Sequence, residues 1–166
     1  MHSTDKKLFL RTPLPDDLEL MLEIENNPAN KEFSKQEHRD YGHEEMLAFI
    51  LSNHDLKMHG QIRYTAVADQ NPIGFFDLYD ADFIGLKAGI GLIVHPNYQH
   101  MGLGTLALSE LENIAHLEHG LRKLYAVVDK DNVTAIRFFR KMAYRSAIPE
   151  GDVQIFPKSV YLEKNL

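Results

Sequence analysis

The chain contains no cysteine and no long apolar segment. Without cysteine it can form neither a disulfide nor a cysteine-ligated zinc site, and it has no thiol nucleophile. The longest membrane-like stretch, residues 88–94, is far shorter than the roughly 20 apolar residues that cross a bilayer as a helix. Residues 1–7 carry charges, and no apolar signal-peptide segment follows them. The sequence therefore predicts a soluble, cytoplasmic protein.

Basic residues are outnumbered, with 18 Lys and Arg against 24 Asp and Glu, and the net charge is −6. A nucleic-acid-binding domain normally concentrates Lys and Arg on one face. The nearest such cluster, Arg137, Arg140, Lys141 and Arg145, is too small to overcome the acidic balance. That balance either serves solubility or favours cationic partners such as amines. We expect no nucleic-acid partner and no membrane partner.

The histidines do not form a recognisable metal site. His116 and His119 are three residues apart on a predicted helix, and His54 and His59 lie in a predicted loop. No third ligand is spaced to complete either pair, and no H-E-x-x-H motif occurs. The sequence therefore predicts no metal.

The N-terminal third combines one strand with helices. Residues 7–11 predict a first strand, and Pro15 is typical of a first helical position. A helical apolar stripe then continues to Asn26, where Asn-Asn-Pro ends the helix. Residues 29–42 are polar and predict a loop, with or without a helical turn, and residues 44–51 predict a second, shorter helix.

The middle of the chain predicts neighbouring strands. Residues 64–68 and 73–79 flank a strong turn, and a second turn at residues 80–82 leads to an apolar strand at residues 87–94. Consecutive strands with short connections favour antiparallel pairing. This part therefore predicts an antiparallel meander.

A strand-helix-strand crossover follows. The best predicted helix, residues 102–119, connects the strand at 87–94 to a buried strand at 124–128. Such a crossover implies one parallel strand pair. A helix at residues 133–142 and one or two strands within residues 153–162 complete the chain.

These elements predict a single domain over residues 1–166. Its fold class is α/β (α+β): a mixed, mostly antiparallel sheet with a central parallel strand pair. About four helices flank this sheet. The glycine-rich start of the central helix is then the segment most able to carry chemistry.

Gly102 and Gly104 open the central helix after a polar loop. The start of a helix has unpaired backbone N–H groups and a partial positive charge. Glycines let that backbone curl around a phosphate without intervening side chains. Residues 99–105 therefore predict an anion site, most naturally for a pyrophosphate. The residues alone leave open a plain loop whose glycines serve only the turn and close packing.

Two other phosphate-binding motifs fit this segment less well. A Walker-type loop needs a Lys before Thr105, and none is present. Residues 102–107 match the dinucleotide pattern G-x-G-x-x-A, and Asp129 ends the next strand where a ribose-binding acid would lie. However, Pro96 and several polar residues separate the glycines from the preceding strand. Residues 130–166 are also too few to complete a doubly wound sheet.

Gln99-His100-Met101-Gly102-Leu103-Gly104 matches the motif [Q/R]-x-x-G-x-[G/A] of the GCN5-related N-acetyltransferase (GNAT) superfamily. Pro96-Asn97-Tyr98 resembles the lead-in to that motif. Residues 131–139 and 142–144 resemble the family's N-x-x-A-x-x-x-Y and G-F signatures. The resemblance covers about residues 8–162 and is nearest the branch of ribosomal-protein alanine and spermidine acetyltransferases.

The resemblance implies acetyl-CoA as co-substrate, with the CoA pyrophosphate on the backbone amides from His100 to Thr105. The strand before the loop pairs with the pantetheine arm in relatives, like an added strand. The resemblance also implies that Asn132, which is predicted to cap the last helix, contacts the pantetheine, and that Phe139 packs either against the pantetheine or in the core. The predicted cofactor-binding residues are Leu92, Ile93, Val94, Gln99, His100, Met101, Gly102, Leu103, Gly104, Thr105, Asn132 and Phe139.

The acid and base of the reaction depart from the family pattern. Relatives often use carboxylates near the fourth strand and a Tyr on the last helix. Gly89 and Gly91 stand at the strand positions here, and Phe139 stands at the Tyr position. We predict Asp77 as the group that holds or deprotonates the amine, and Tyr144, with Tyr98 as the alternative, as a proton donor.

The resemblance implies an N-acetyltransferase that transfers an acetyl group from acetyl-CoA to a primary amine by direct attack in a ternary complex. The acceptor is either a small molecule such as a polyamine or a protein N-terminus, and the family suggests a homodimer. A non-catalytic acyl-CoA-binding module is the alternative, because the usual acid and base are missing. A nicotinamide-type dinucleotide binder is the third hypothesis.

Overall fold

A computed structural model describes residues 7–32 and 39–166. Residues 33–38, part of the predicted loop, lie outside this description. The described chain forms a seven-stranded sheet with the order β1-β2-β3-β4-β5-β7-β6. The strands are β1 (Leu8–Arg11), β2 (Ile62–Ala68), β3 (Asn71–Asp82), β4 (Lys87–Val94), β5 (Lys123–Asp129), β6 (Arg145–Ser146) and β7 (Ser159–Asn165).

Helices flank this sheet. The α-helices are α1 (Leu18–Asn26), α2 (Pro28–Lys31), α3 (His43–Ile50), α4 (Leu56–His59), α5 (Leu103–Asn113) and α6 (Val133–Lys141). A 3-10 turn at Pro15–Asp17 precedes α1, and α5 continues into a π-helical turn at Ile114–Glu118. Gly120 ends that helix with a φ of 70°.

The pairing of β4 with β5 is the one parallel pairing among the described strands, and it confirms the predicted fold class. The other neighbours in the sheet are antiparallel. The parallel pairing is short: it begins where Lys87 pairs with Lys123 and ends where Gly89 pairs with Tyr125. Beyond that last pair, β4 and β5 diverge and leave a slot between them.

Each face of the sheet carries its own apolar layer. The neighbouring residues Phe75 and Phe76 point to opposite faces, as successive residues of a strand do, and each joins a different cluster. Phe76 packs in the larger cluster, which includes residues of α5 and α6. Phe75 packs with residues of α1 and α3. The slot between β4 and β5 is therefore bordered by helices on both faces.

Two local predictions from the sequence were wrong or incomplete. The turn predicted at residues 80–82 is absent, because β3 continues to Asp82 across an irregularity at which Asp80 has a φ of 47°. The chain reverses afterwards, where Asp82 Oδ1 accepts hydrogen bonds from the amides of Ile84 and Gly85 at 2.9 and 2.8 Å. Helix α4 was not predicted; it begins where the Asp55 side chain accepts the Met58 amide.

A buried carboxylate joins the start of α1 to the sheet. Asp17 is fully buried, and it accepts hydrogen bonds from Arg11 at 2.7 and 3.0 Å, from the Leu14 amide at 2.8 Å and from the Thr65 hydroxyl at 2.8 Å. Burial disfavours its ionised form. The hydrogen bonds and the Arg11 charge outweigh burial and lower the pKa of Asp17 below its ordinary value of 3.8.

Asp17→Asn is expected to lower the free energy of unfolding at neutral pH by about 2 kcal/mol, because charge-assisted hydrogen bonds are lost. The pKa of Asp17 is lower in the folded than in the unfolded chain. Its contribution is therefore complete above a pH of about 4 and is lost as the pH falls through the folded-state value. Urea unfolding of both proteins at about pH 7 and about pH 3 measures the difference. If the difference in free energy of unfolding between wild type and variant is as large at the lower pH, the ionised carboxylate does not have this role.

Candidate active site

A groove of about 1040 Å³ opens where β4 and β5 diverge. Its walls include Ile90 to Val94 of β4 and Tyr125 to Asp129 of β5. The loop before α5 and the first residues of α6 close one end. The other end is lined by residues of α1, α2, β2 and β3, with Phe156 from the connection to β7. The groove is large enough for a cofactor-sized ligand.

The loop at the first end has the backbone conformation of an anion site. His100 and Gly102 have φ angles of 61° and 76°, both in the left-handed region. Alternation of left-handed and right-handed residues turns successive N–H groups toward one side, and the start of α5 adds its own unpaired amides. The Gln99 side-chain amide donates to the Val94 carbonyl at 2.8 Å and ties the loop to the end of β4.

Two further side-chain positions shape this end. A Cβ atom at Gly104 would lie 3.6 Å from Cε2 of Phe138 and 3.8 Å from Cγ2 of Val94, and all three residues line the groove. Asn132 caps α6 by accepting the Ala135 amide at 3.2 Å. Its side-chain NH₂ group is a donor not used by that cap, on a residue that lines the groove.

The structure brings together all but two of the predicted cofactor-binding side chains. Met101 is 52% exposed, and Leu103 is 3% exposed in the larger apolar cluster, so neither side chain lines the groove. Met101 points away because the loop directs its amides, rather than its side chains, inward. Leu103 anchors the first turn of α5 in the core. The predicted contribution of these two residues is therefore limited to their backbone.

An arginine links two carboxylates at the other end of the groove. Nε and Nη2 of Arg63 donate to the two carboxylate oxygens of Asp77 at 2.8 and 2.7 Å, and Nη1 donates to Glu25 at 2.7 Å. Their side chains are 17% (Arg63), 28% (Asp77) and 18% (Glu25) exposed. Burial by itself would lower the pKa of the Arg63 guanidinium, but the two carboxylates outweigh burial and raise it. One cation between two anions leaves this triad with a net negative charge.

Asp77 lies beside Gly91, a position of β4 at which an acidic residue was expected. Gly91 is the direct cross-strand partner of Asp77. A Cβ atom at Gly91 would be 3.9 Å from both Cβ and Oδ2 of Asp77. The carboxylate thus occupies the space that a side chain from this position of β4 would otherwise enter. A carboxylate beside β4 is supplied by the neighbouring strand.

Tyr144 is not brought to the groove. It is fully buried, its hydroxyl donates to Glu112 Oε1 at 3.0 Å, and Lys164 Nζ donates to the same carboxylate at 2.9 Å. Burial, with the neighbouring Glu112 charge, raises the pKa of the Tyr144 hydroxyl. Of the predicted catalytic side chains, Asp77 and the alternative donor Tyr98 line the groove, and Tyr144 does not.

Tyr144→Phe is expected to lower the free energy of unfolding by about 1 kcal/mol, because a buried hydrogen bond to Glu112 is lost. Since the side chain lies outside the groove, we expect kcat to stay unchanged. Chemical denaturation and steady-state kinetics on the same preparation separate the two effects. A large fall in kcat at unchanged stability would instead assign Tyr144 to the reaction.

The groove residues that were not predicted from the sequence include Glu25, Arg63, Tyr79 and Tyr125. Tyr79 lies two residues after Asp77, so the period-two alternation of a strand was an available signal for it. Arg63 and Tyr125 face the groove because of the pairing registers of β2 and β5. The place of Glu25 depends on how α1 packs on the sheet.

Within residues 7–32 and 39–166, no group of three or more His, Asp or Glu side chains is arranged to hold a metal ion. Over the same residues, no helix combines the length and the apolar character needed to cross a membrane.

Residues 19–144 match the model of the Acetyltransferase (GNAT) family. The chain belongs to this family. The match extends from α1 to Tyr144 and so includes both groove strands, the glycine loop and α6. This GNAT protein is an enzyme, an acetyltransferase whose acetyl donor is acetyl-CoA.

Relatives of this GNAT enzyme include spermidine N(1)-acetyltransferase of Escherichia coli, which is 28% identical over 133 residues, covering 78% of this chain and 68% of that protein. A crystal structure of spermidine N-acetyltransferase from Vibrio cholerae with CoA and spermine is similar, with a TM-score of 0.76, 18% identity and 95% coverage of each chain. An aminoglycoside acetyltransferase in complex with coenzyme A has a TM-score of 0.73 and 20% identity, covering 96% of this chain and 95% of that one. At these identities the structural likenesses establish the fold.

Proposed function

We propose that this acetyltransferase transfers the acetyl group of acetyl-CoA to a primary amine of a polyamine. The observation that carries the acceptor class is the net negative charge of the Glu25–Arg63–Asp77 triad in the groove. A polyamine is a flexible chain of ammonium groups, and carboxylates that line a groove attract such a cation. The spermidine acetyltransferases among the curated relatives support the same class.

We propose that the donor occupies the half of the groove near α5. The backbone amides from His100 to Thr105 would hold the pyrophosphate, and Leu92 to Val94 would pair with the pantetheine arm. Asn132 would donate its free NH₂ to that arm, and Phe139 would pack against it. Acetyl-CoA supplies the activated acetyl thioester to the reaction.

In this proposal the acceptor amine enters from the opposite half. Asp77 and Glu25 hold the substrate ammonium near the strand, and exposed Asp80 at the rim adds attraction for a second ammonium. Asp77 serves as counter-ion rather than as base, because both of its oxygens accept from Arg63. The amine loses its proton to water before it attacks the carbonyl.

We propose one domain over residues 1–166, a cytoplasmic location and a homodimer. A dodecameric structure of spermidine N-acetyltransferase from Vibrio cholerae is among the similar folds, with a TM-score of 0.69. Light scattering on the purified enzyme measures its assembly directly.

Release of CoA thiol with a panel of amines tests the proposed function. Because the chain has no cysteine, a thiol reagent detects only the product. The panel contains spermidine, spermine, putrescine, an aminoglycoside and a peptide with N-terminal alanine. We expect kcat/KM for spermidine or spermine to exceed that for the peptide at least about 100-fold, since the peptide offers a single ammonium. Preference for the peptide would contradict a polyamine acceptor, and thiol release with no amine would contradict catalysis.

A further inference from the structure

Two tyrosine rings lie against β4 at the end of the groove where β4 and β5 are still paired. A Cβ atom at Gly89 would be 2.4 Å from Cε2 of Tyr79 and 3.0 Å from Cε2 of Tyr125. The two rings meet edge to face with centroids 6.2 Å apart. Only glycine at position 89 lets the two rings come this close to β4. The rings fill the space that a side chain at this position would occupy.

The Tyr125 side chain is largely buried, but it lines the groove and its hydroxyl keeps some accessible surface. Tyr125 is 2% exposed and lines the groove, yet its hydroxyl has no hydrogen-bond partner among residues 7–32 and 39–166. Tyr161 stacks on the other side of the same ring at 5.3 Å, but its hydroxyl donates to Glu163 at 2.9 Å. Among the described residues, the one buried side-chain polar atom without a partner is Ser159 Oγ, so the Tyr125 hydroxyl keeps some accessible surface. A hydroxyl that is accessible on a groove wall and has no protein partner is free to donate to a ligand.

Tyr125 lies at the end of the groove away from the glycine loop. It pairs with Gly89 at the last contact before β4 and β5 diverge. At about 3.3 Å per residue, the strand from Val94 to Gly89 covers roughly 16 Å. In CoA, the pyrophosphate and the sulfur are at opposite ends of the pantetheine arm. With the pyrophosphate on the loop and the arm along β4, the sulfur lies toward the tyrosine pair.

We propose that the Tyr125 hydroxyl is the catalytic proton donor to the leaving CoA sulfur, with the Tyr79 ring as the positioning residue that holds it. The inference rests on the acetyl transfer of the proposed function and not on which amine is acetylated. It assigns to β5 the role that Phe139, which has no exchangeable proton, cannot perform. A donor on β5 faces the sulfur from the acceptor side of the sheet.

The proton balance of this step is complete. The neutral amine attacks the thioester carbonyl, a C–N bond forms, and the C–S bond then breaks. The sulfur takes its proton from Tyr125, and the tyrosinate regains one from the amine nitrogen, which loses it on becoming an amide. Burial, reinforced by Asp80 and Asp82, raises the pKa of Tyr125 to about 12. The hydroxyl therefore enters each turnover protonated at neutral pH.

Tyr125→Phe tests the proposal, with Tyr161→Phe as matched control because it removes a hydroxyl from the same stack but outside the groove. We expect kcat of Tyr125→Phe to fall about 100-fold with KM for the amine unchanged. Tyr161→Phe keeps the kcat of the wild type. Equal kcat in Tyr125→Phe and wild type would overturn the inference and leave the proposed function intact. A wild-type enzyme inactive with every amine would overturn both.

A binding measurement gives a second readout that does not depend on turnover. Dissociation constants are measured calorimetrically for CoA and for an analogue that lacks the sulfur. Near pH 9, where the CoA thiolate is present, we expect Tyr125→Phe to weaken the binding of CoA about tenfold. The dissociation constant of the analogue should stay unchanged. Equal weakening of both ligands would mean that Tyr125 only shapes the groove, and would overturn its role as donor to sulfur.

Discussion

Gly104→Val is expected to reduce the affinity for acetyl-CoA at least about 100-fold while the protein stays folded. A Cβ atom at this position already reaches 3.6 Å from the Phe138 ring and 3.8 Å from Val94. The two further methyl groups of valine must then enter the groove beside the loop that would hold the pyrophosphate. Valine is not a worse helix former than glycine, so the first turn of α5 should persist. Calorimetric titration with acetyl-CoA measures the loss.

Gly104→Ala is the matched control for this substitution. Its single added carbon makes ordinary contacts in the structure, and alanine stabilises a helix by about 0.5–1 kcal/mol relative to glycine. We expect the alanine variant to bind acetyl-CoA far more tightly than the valine variant and to melt at least as high as the wild type. If the valine variant binds as tightly as the alanine variant, the donor does not pass this position.

Gly89→Ala is expected to lower kcat about 100-fold and the free energy of unfolding by about 1–3 kcal/mol. The added Cβ would lie 2.4 Å from the Tyr79 ring, and that ring cannot move without displacing Tyr125 beside it. Both aromatic side chains then leave the arrangement that holds the Tyr125 hydroxyl at the groove. Denaturant unfolding and steady-state kinetics measure the two effects.

Gly91→Ala separates crowding from a general effect of alanine on β4. It is two residues away on the same face of the strand, and its Cβ would meet Asp77 at 3.9 Å, an ordinary contact. We expect its stability to equal or exceed that of the wild type, because alanine loses less backbone entropy than glycine. Similar destabilisation of the two variants would contradict the packing of Tyr79 over Gly89.

The strands, the central helix and the parallel pair could be predicted because their signals are local. Strand β4 (Lys87–Val94) has the predicted bounds, and the glycine that ends the central helix is Gly120. Apolar runs, turn residues and helix stops report on their own neighbourhood in the chain. The glycine loop before α5 is a signal of the same kind.

The acceptor half of the groove could not be predicted in the same way, because it depends on strand register. Arg63 meets Asp77 across β2 and β3, but the register shifts between Ala66 and Val67, so counting back from the turn does not pair them. The turn expected at residues 80–82 failed for a similar reason, since Asp80 adopts a positive φ within a continuing strand.

The replacement of the missing tyrosine is a tertiary feature. The sequence contains Phe139 where a proton donor was expected, and no local pattern distinguishes Tyr125 as a substitute. Tyr125 becomes a candidate only through its pairing with Gly89 and the divergence of β4 and β5 beyond it. Tyr144 had a sequence signal but lies in the core with Glu112. The two tyrosines differ in their position relative to the groove, which Tyr125 lines and Tyr144 does not.

Thermal unfolding with acetyl-CoA, CoA, NAD and ATP tests most directly that the groove between β4 and β5 binds a CoA thioester. At a ligand concentration of about 100 times Kd, binding adds about 2.7 kcal/mol to stability. For a chain of this size that corresponds to a rise in Tm of roughly 5–10 °C. We predict such a rise with CoA and acetyl-CoA, and none with NAD or ATP. No rise with CoA compounds at millimolar concentration would contradict the account.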